Sequence, residues 1–198
     1  MIPMLAPKHR SPGRTNPRMQ PAAMRRVLYR VAASLDGYIA GPRGEVDWIV
    51  SDPAIDFAAL YEAVDTVLLG RRTYELTQQP GAPPWPAGWH IYVFSRTLAP
   101  EQHSGVTVIS GDAGATVAGL RAAPGREIWL FGGGSLFRSL LEAKQVDIVE
   151  VVIIPVMLGG GVPLLETGAP LTRLSLVHSQ SYPSGLVSLR YEVRDAAV

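Results

Sequence analysis

The sequence of 198 residues contains no cysteine. That absence excludes a disulfide framework, a thiolate metal site and a cysteine nucleophile together, and it suits a cytoplasmic protein. Histidine is scarce as well. His9, His90, His103 and His178 are scattered, with no two at the i, i+4 spacing of a helical zinc site, so no metal is expected. No stretch reaches the ~18 consecutive apolar residues of a membrane-spanning helix, and no membrane partner is expected. An excess of one charge is also missing. Eighteen Lys and Arg stand against 17 Asp and Glu, interspersed and without the basic stripe of a nucleic-acid-binding surface.

What is present is apolar. Hydrophobic residues make up 47% of the chain, enough at this length to bury one substantial core. Residues 1–24, "MIPMLAPKHRSPGRTNPRMQPAAM", are rich in Pro and Arg, aperiodic, and lack the apolar segment of a secretion signal. They read as a disordered N-terminal tail, and residues 25–198 as a single α/β domain.

From Arg25 onward, strand and helix patterns alternate. "RVLYRVAAS" (26–34), "TVLLG" (66–70), "WHIYVFS" (89–95), "GVTVIS" (105–110), "EIWLF" (127–131) and "VDIVEVVIIPV" (146–156) read as strands. Helices are expected over 51–64, from 71, around 113–122 and over 135–144. Ser51 or Asp52 suits the first helix as N-cap, with Pro53 at its first position. Residues 172–193 give two strands around Pro183-Ser184-Gly185, a hairpin pattern. The fold class is therefore α/β: a mainly parallel mixed sheet flanked by helices, with a C-terminal antiparallel hairpin.

Open α/β sheets bind ligands beyond the carboxyl ends of their strands, and three such junctions share a character. In "LLGRRTYE", Arg71 and Arg72 fall where a helix begins. Cations there are unfavourable by about 0.3–1 kcal/mol each, a penalty that a bound anion reverses. In "VFSRTL", Ser95 and Arg96 follow a strand directly. In "FGGGSLF", Gly132, Gly133 and Gly134 let backbone N–H groups approach a pyrophosphate. The last stretch matches neither the Rossmann fingerprint nor a nucleophile elbow around Ser135, since Phe137 stands where each requires a small residue, and no P-loop Lys follows. Taken singly, the arginines read first as solvent-facing, Ser-Arg as a common loop pair and the glycines as a plain turn. Together they describe a groove for an extended phosphorylated ligand, and the arginines favour a 2′-phosphate, hence NADPH over NADH.

The blocks "ASLDGYIAGPRGEVDW", "DTVLLGRRTYE", "VFSRTL", "IWLFGGGSLFRSLLEA" and "VIIPVMLGGGVPLLE" resemble, in order, those of proteins with a dihydrofolate-reductase-like fold. The resemblance is greatest to small single-domain bacterial proteins related to the C-terminal reductase domain of the riboflavin-biosynthesis deaminase–reductase. It implies Ala33, Ile39 and Ala40 near the nicotinamide, and Gly70, Arg71, Arg72 and Thr73 near the adenosine phosphates. It further implies Ser95 and Arg96 at the adenine ribose and its 2′-phosphate, and Gly132, Gly133, Gly134, Ser135, Leu136 and Phe137 at the pyrophosphate. The segment from Pro155 to Gly161, with Leu158 and Gly159, resembles the family's later loop bordering the site, with a strand-ending turn as its alternative. Arg30 is a departure, standing where riboflavin-type reductases tend to carry Lys.

Asp36 is the candidate substrate-facing carboxylate, with a plain Asp-Gly turn as its alternative. Trp48 is a candidate wall of the substrate pocket or a core tryptophan. Asp52 is a candidate substrate ligand or a helix cap. The expected function is an NADPH-dependent reductase of a small heterocyclic or ribosylamino substrate, dihydrofolate- or riboflavin-precursor-like. The alternative is an NADPH-binding protein with this fold and no turnover. Relatives of this kind are often homodimers, and "VEVVIIPV" fits either an interface strand or a central one.

Overall fold

A computed structural model of the protein describes residues 24–194. Apart from Met24, the expected disordered tail lies outside the described residues, as do 195–198 of the expected domain. The element order is β1 (Val27–Ser34), β2 (Tyr38–Ala40), α1 (Phe57–Ala63), β3 (Val64–Gly70), α2 (Arg71–Thr77), β4 (His90–Phe94) and β5 (Thr107–Ile109). There follow α3 (Ala113–Ala122), β6 (Glu127–Gly132), α4 (Gly134–Glu142), β7 (Ile148–Ile154), β8 (Val162–Pro163), β9 (Leu174–Ser181) and β10 (Val187–Val193).

Eight of these strands form one sheet in the order β5-β4-β3-β6-β1-β7-β10-β9, while β2 pairs with β8 alone. Every neighbouring pair from β5 to β7 is parallel, and β10 runs antiparallel to both β7 and β9. The expected α/β architecture with a C-terminal antiparallel hairpin is the one observed. β7 is central, between β1 and β10, and the free edge on that side belongs to β9.

Period-2 alternation along β1 assigns the two faces of the sheet. Val27, Tyr29, Val31 and Ala33 pack toward α3 and α4, in one core with Val117, Phe137, Leu140 and Leu141. Full burial of each large apolar side chain of α4 contributes about 1.5–3 kcal/mol, which fixes this helix although its N-terminus has no side-chain cap. On the opposite face Leu60 of α1 and Tyr74 of α2 pack with Val67, Leu69, Val93 and Trp129. That second cover stops short of β7 and β10, where Glu150, Val152, Ser188 and Arg190 line an open cleft.

Helix α1 begins later than the helix-start residues suggest. Its N-cap is Asp56, which accepts from Ala59 N at 2.9 Å, and not Ser51 or Asp52. Asp52 is 4% exposed and is held elsewhere. One oxygen accepts from Ala54 N at 2.8 Å and the other from Ser184 N at 3.2 Å. These bonds tie the turn before α1 to the β9–β10 hairpin tip, and hydrogen bonds from Ser184 and Ala54 hold the Asp52 carboxyl below its ordinary pKa. The short strands β2 and β8 are too brief to carry a period and are not evident from sequence pattern.

Candidate functional site

The carboxyl ends of β4, β3 and β6 lie side by side because Phe94 pairs with Gly70 and Leu69 with Gly132. Ser95 and Arg96, Gly70 to Thr73, and Gly132 to Leu136 therefore converge, and all of them line one cleft, together with Ile39 and Ala40. The cleft has a volume of about 2070 Å³. A single small-molecule site occupies roughly 300–1,000 Å³, so the cleft is larger than one small ligand requires.

The helices start in two ways. Helices α1 and α3 are capped by Asp56 and Asp112, whose carboxylates accept from Ala59 N and Ala115 N. Helices α2 and α4 follow Gly70 and Gly133 and have no side-chain cap. These two uncapped starts are adjacent: a Cβ on Gly70 would stand 3.6 Å from Gly133 N. An aspartate would bring negative charge to the spot, whereas glycine leaves the first N–H groups and the positive dipole end open to an anion. Around them the charge is positive. Arg71 bonds Glu75 at 2.9 Å along α2, while exposed Arg72 and Arg96 have no ion partner among the described residues. Ser95 Oγ accepts from Thr97 N and Leu98 N at 3.1 and 3.0 Å, shaping the turn that carries Arg96.

The three glycines have different local requirements. Gly132 has φ of 141°, a backbone conformation closed to most side chains. A Cβ on Gly134 would meet the Pro163 carbonyl oxygen at 2.8 Å, so glycine there lets α4 pack against β8. Gly133 has neither constraint. Its φ is −95° and a Cβ would face only Thr73 Oγ1, at 3.2 Å.

Several expected site residues are not part of the cleft lining. Ala33 is fully buried on the α4 face of β1, and it is Ala32, one residue earlier, that lines the cleft. Phe137 stacks on Tyr29 with ring centroids 3.8 Å apart, inside the core beneath α4. Trp48 turns its indole N–H back to Glu45 O at 3.0 Å, and neither it nor Asp52 lines the cleft. Pro155 is exposed next to the hairpin turn at Gly185.

Asp36 also stands outside the lining. Its carboxylate accepts from Ser34 Oγ at 2.6 Å, from Leu158 N at 3.1 Å and from Gly159 N at 2.7 Å. The Ser34 hydroxyl first, then the two backbone N–H groups, outweigh desolvation and hold the Asp36 carboxyl below its ordinary pKa. Asp36 thus ties the turn after β1 to the 157–159 loop. Because the folded pKa is lowered, this tie is present at neutral pH and is lost as pH falls through that value, below the unfolded pKa of about 3.9. Asp36→Ala is expected to speed hydrogen exchange at amides 158 and 159 by roughly tenfold at pH 7. Unchanged exchange at both amides would remove this role.

Other residues in the lining carry no local sequence motif. Trp85, from the Pro-rich loop before β4, meets Phe131 edge-on with centroids 5.3 Å apart, and both line the cleft. Arg30, Glu150 and Arg190 come from three strands and meet only through the sheet. Glu150 was discernible in sequence as one acid within an apolar strand.

Comparisons with known proteins agree with this architecture. The family model of the RibD C-terminal domain matches residues 25–188. The chain is 33% identical over 180 residues to the uncharacterized protein YyaP of Bacillus subtilis (strain 168), covering 84% of this chain and 94% of that one. A candidate riboflavin biosynthesis protein from Shewanella sp. PV-4 superposes with a TM-score of 0.75 at 28% identity, over 86% of this chain and 99% of the other. Dihydrofolate reductase from Enterococcus faecalis, solved with NADP(H) and RAB-propyl, shares the fold with a TM-score of 0.64 at 19% identity, over 86% and 97%. The fold is that of the riboflavin-biosynthesis and dihydrofolate reductases, and the chain belongs to the RibD C-terminal domain family.

Proposed function

We propose that the cleft binds NADPH and that the protein is a reductase of a small heterocyclic or ribosylamino substrate. The observation that carries this reading is the adjacency of two uncapped helix N-termini, at Gly70 and Gly133, flanked by Arg72 and Arg96. Such a donor set fits a pyrophosphate and a further phosphate. The NADP(H) bound to a dihydrofolate reductase of the same fold supports the choice of cofactor.

In this reading the α2 and α4 N-termini hold the pyrophosphate, with Thr73 beside them. Arg72 and Arg96 bind the 2′-phosphate. Ile39, Ala40 and Ala32 form the apolar floor where β1 ends, and Trp85 and Phe131 shield the cleft from water. Bound NADPH supplies the hydride for a C=N or C=O group. The protein positions the two reactants and excludes water, which is where most of its contribution lies. Asp36, committed to the 157–159 loop, is a positioning residue, and the balancing proton comes from solvent. Action in the cytoplasm and as a homodimer belongs to the same proposal. One edge strand open to a partner is β9, with Leu174, Leu176 and Val177 exposed.

NADPH is expected to quench tryptophan fluorescence and to stabilise the fold, by about 2.7 kcal/mol at a hundred times its Kd. Arg96→Ala is expected to weaken NADPH about tenfold while leaving NADH unchanged, the loss of one charge-assisted hydrogen bond. Equal loss for both nucleotides would remove the 2′-phosphate assignment. Absence of any NADPH response would remove the reductase reading itself.

A further inference from the structure

The sheet register aligns a charged row on the face that α1 and α2 leave open. Arg30 of β1 pairs with Glu150 of β7, Glu150 with Arg190 of β10, and Arg190 with His178 of β9. All four line the cleft, on β1, β7, β10 and β9, whereas Arg71 and Arg72 open α2 and Arg96 lies in the turn after β4. The Glu150 side chain is 7% exposed and both its oxygens are engaged. Arg30 directs Nε, at 2.8 Å, and a terminal nitrogen onto Oε1, while Arg190 Nη1 reaches Oε2 at 2.7 Å.

Neutralising one buried carboxylate requires one guanidinium, and Arg30 supplies it with two bonds. Arg190 is therefore a surplus positive charge. Its Nε and second terminal nitrogen have no protein partner among the described residues, and its side chain is 25% exposed. Two residues along the same strand face, Ser188 is 6% exposed and lines the cleft, and its hydroxyl makes no hydrogen bond among the described residues. A partly desolvated guanidinium with a forked pair of free donors, beside an unspent hydroxyl, is a recognition element for a carboxylate or a phosphate.

We propose that Arg190, oriented by Glu150 and assisted by Ser188, forms an anion subsite, so that the molecule taken up beside the cofactor carries a carboxylate or phosphate group. The row sits at the level of Phe131, because Tyr29 pairs with Leu130 one residue before. A substrate spanning it would place its planar part against Trp85 and Phe131 and its anionic group on Arg190. This proposal rests on the reductase reading for the identity of the second molecule, but the subsite itself can be tested without turnover.

The probes are inorganic phosphate and malonate, titrated by calorimetry into the protein alone and into protein saturated with NADPH, which occupies the other arginines. Saturable binding of at least one probe is expected in both. Arg190→Gln, which leaves Glu150 paired with Arg30, is expected to weaken it roughly tenfold or more. Glu150→Gln, which raises the net charge of the site, is expected to strengthen it several-fold, a change that loss of folding cannot produce. The effects of both variants are read with NADPH bound, because phosphate alone can also occupy Arg72 and Arg96 at the cofactor site. Preference between phosphate and malonate identifies the group. Binding indifferent to Arg190→Gln, no binding of either probe, or weakening by Glu150→Gln in a variant of unchanged Tm, would overturn the subsite. A missing NADPH response with Arg190-dependent phosphate binding would instead overturn the reductase reading and leave the subsite standing.

Discussion

Gly133→Leu is expected to abolish the fluorescence response to NADPH, an affinity loss of at least about a hundredfold, or about 2.7 kcal/mol, with Tm within a few degrees of the parent. Gly133 is chosen because it separates binding from folding. At Gly132 any side chain is strained by the positive φ, and at Gly134 the Pro163 carbonyl blocks even a methyl group. Substitution at either would disturb the start of α4 and lose binding for the wrong reason. Gly133 has a φ of −95°, which L-residues adopt freely, and a Cβ there meets only the Thr73 side chain. The remaining atoms of leucine must occupy the space in front of Thr73, where the α2 and α4 N–H groups converge. Gly133→Ala, with one methyl at 3.2 Å from Thr73 Oγ1, should fall between the two. Full NADPH affinity in Gly133→Leu would mean that the glycines serve only the turn.

The strand ends were legible because local chemistry marks them. An apolar run followed by Gly70 and two arginines, or by Gly132-Gly133-Gly134, announces a helix start that lacks its usual cap. Which face a residue takes was less legible. Ala33 and Ala32 differ by one position, and in a strand that step changes the face entirely. Phe137 likewise sits one helical turn beyond Gly133, where α4 already faces the core. Asp36 and Asp52 look like site carboxylates because each follows a strand or precedes a helix, yet each is consumed by backbone N–H groups more than 120 residues away. No local pattern can report such partners. The Arg30–Glu150–Arg190 row was out of reach for the same reason, since its spacing of 120 and 40 residues becomes adjacency only through strand order.

The largest effect on stability is expected at the opposite end of the sheet. Arg25, 9% exposed, precedes β1 and donates to the carboxylate of Asp65 and the carbonyl of Arg126, with a further bond to Thr66 Oγ1 at 2.7 Å. Asp65 completes the cluster by accepting from Arg126 N and from Thr66 Oγ1, at 2.7 and 2.8 Å. The cluster joins β1, β3 and β6, and the far ends of β3 and β6 carry the glycine helix starts of the candidate site. Asp65→Ala leaves the guanidinium of Arg25 buried without its counter-charge, a change that costs about 3–5 kcal/mol and lowers Tm on the order of 10 °C. Adding Arg25→Met to that variant removes the stranded charge and should recover part of the loss. The pH dependence is a second check. Burial raises the Asp65 pKa, but the Arg126 N–H, the Thr66 hydroxyl and the charges of Arg25 and Arg126 together hold it below the ordinary value. The stabilisation is therefore complete above the unfolded pKa of about 3.9 and is lost as pH falls through the folded one. The Tm gap between parent and Asp65→Ala should be constant near neutrality and narrow below about pH 4. A gap that persists unchanged into that range would show that Asp65 contributes through packing and not through its charge.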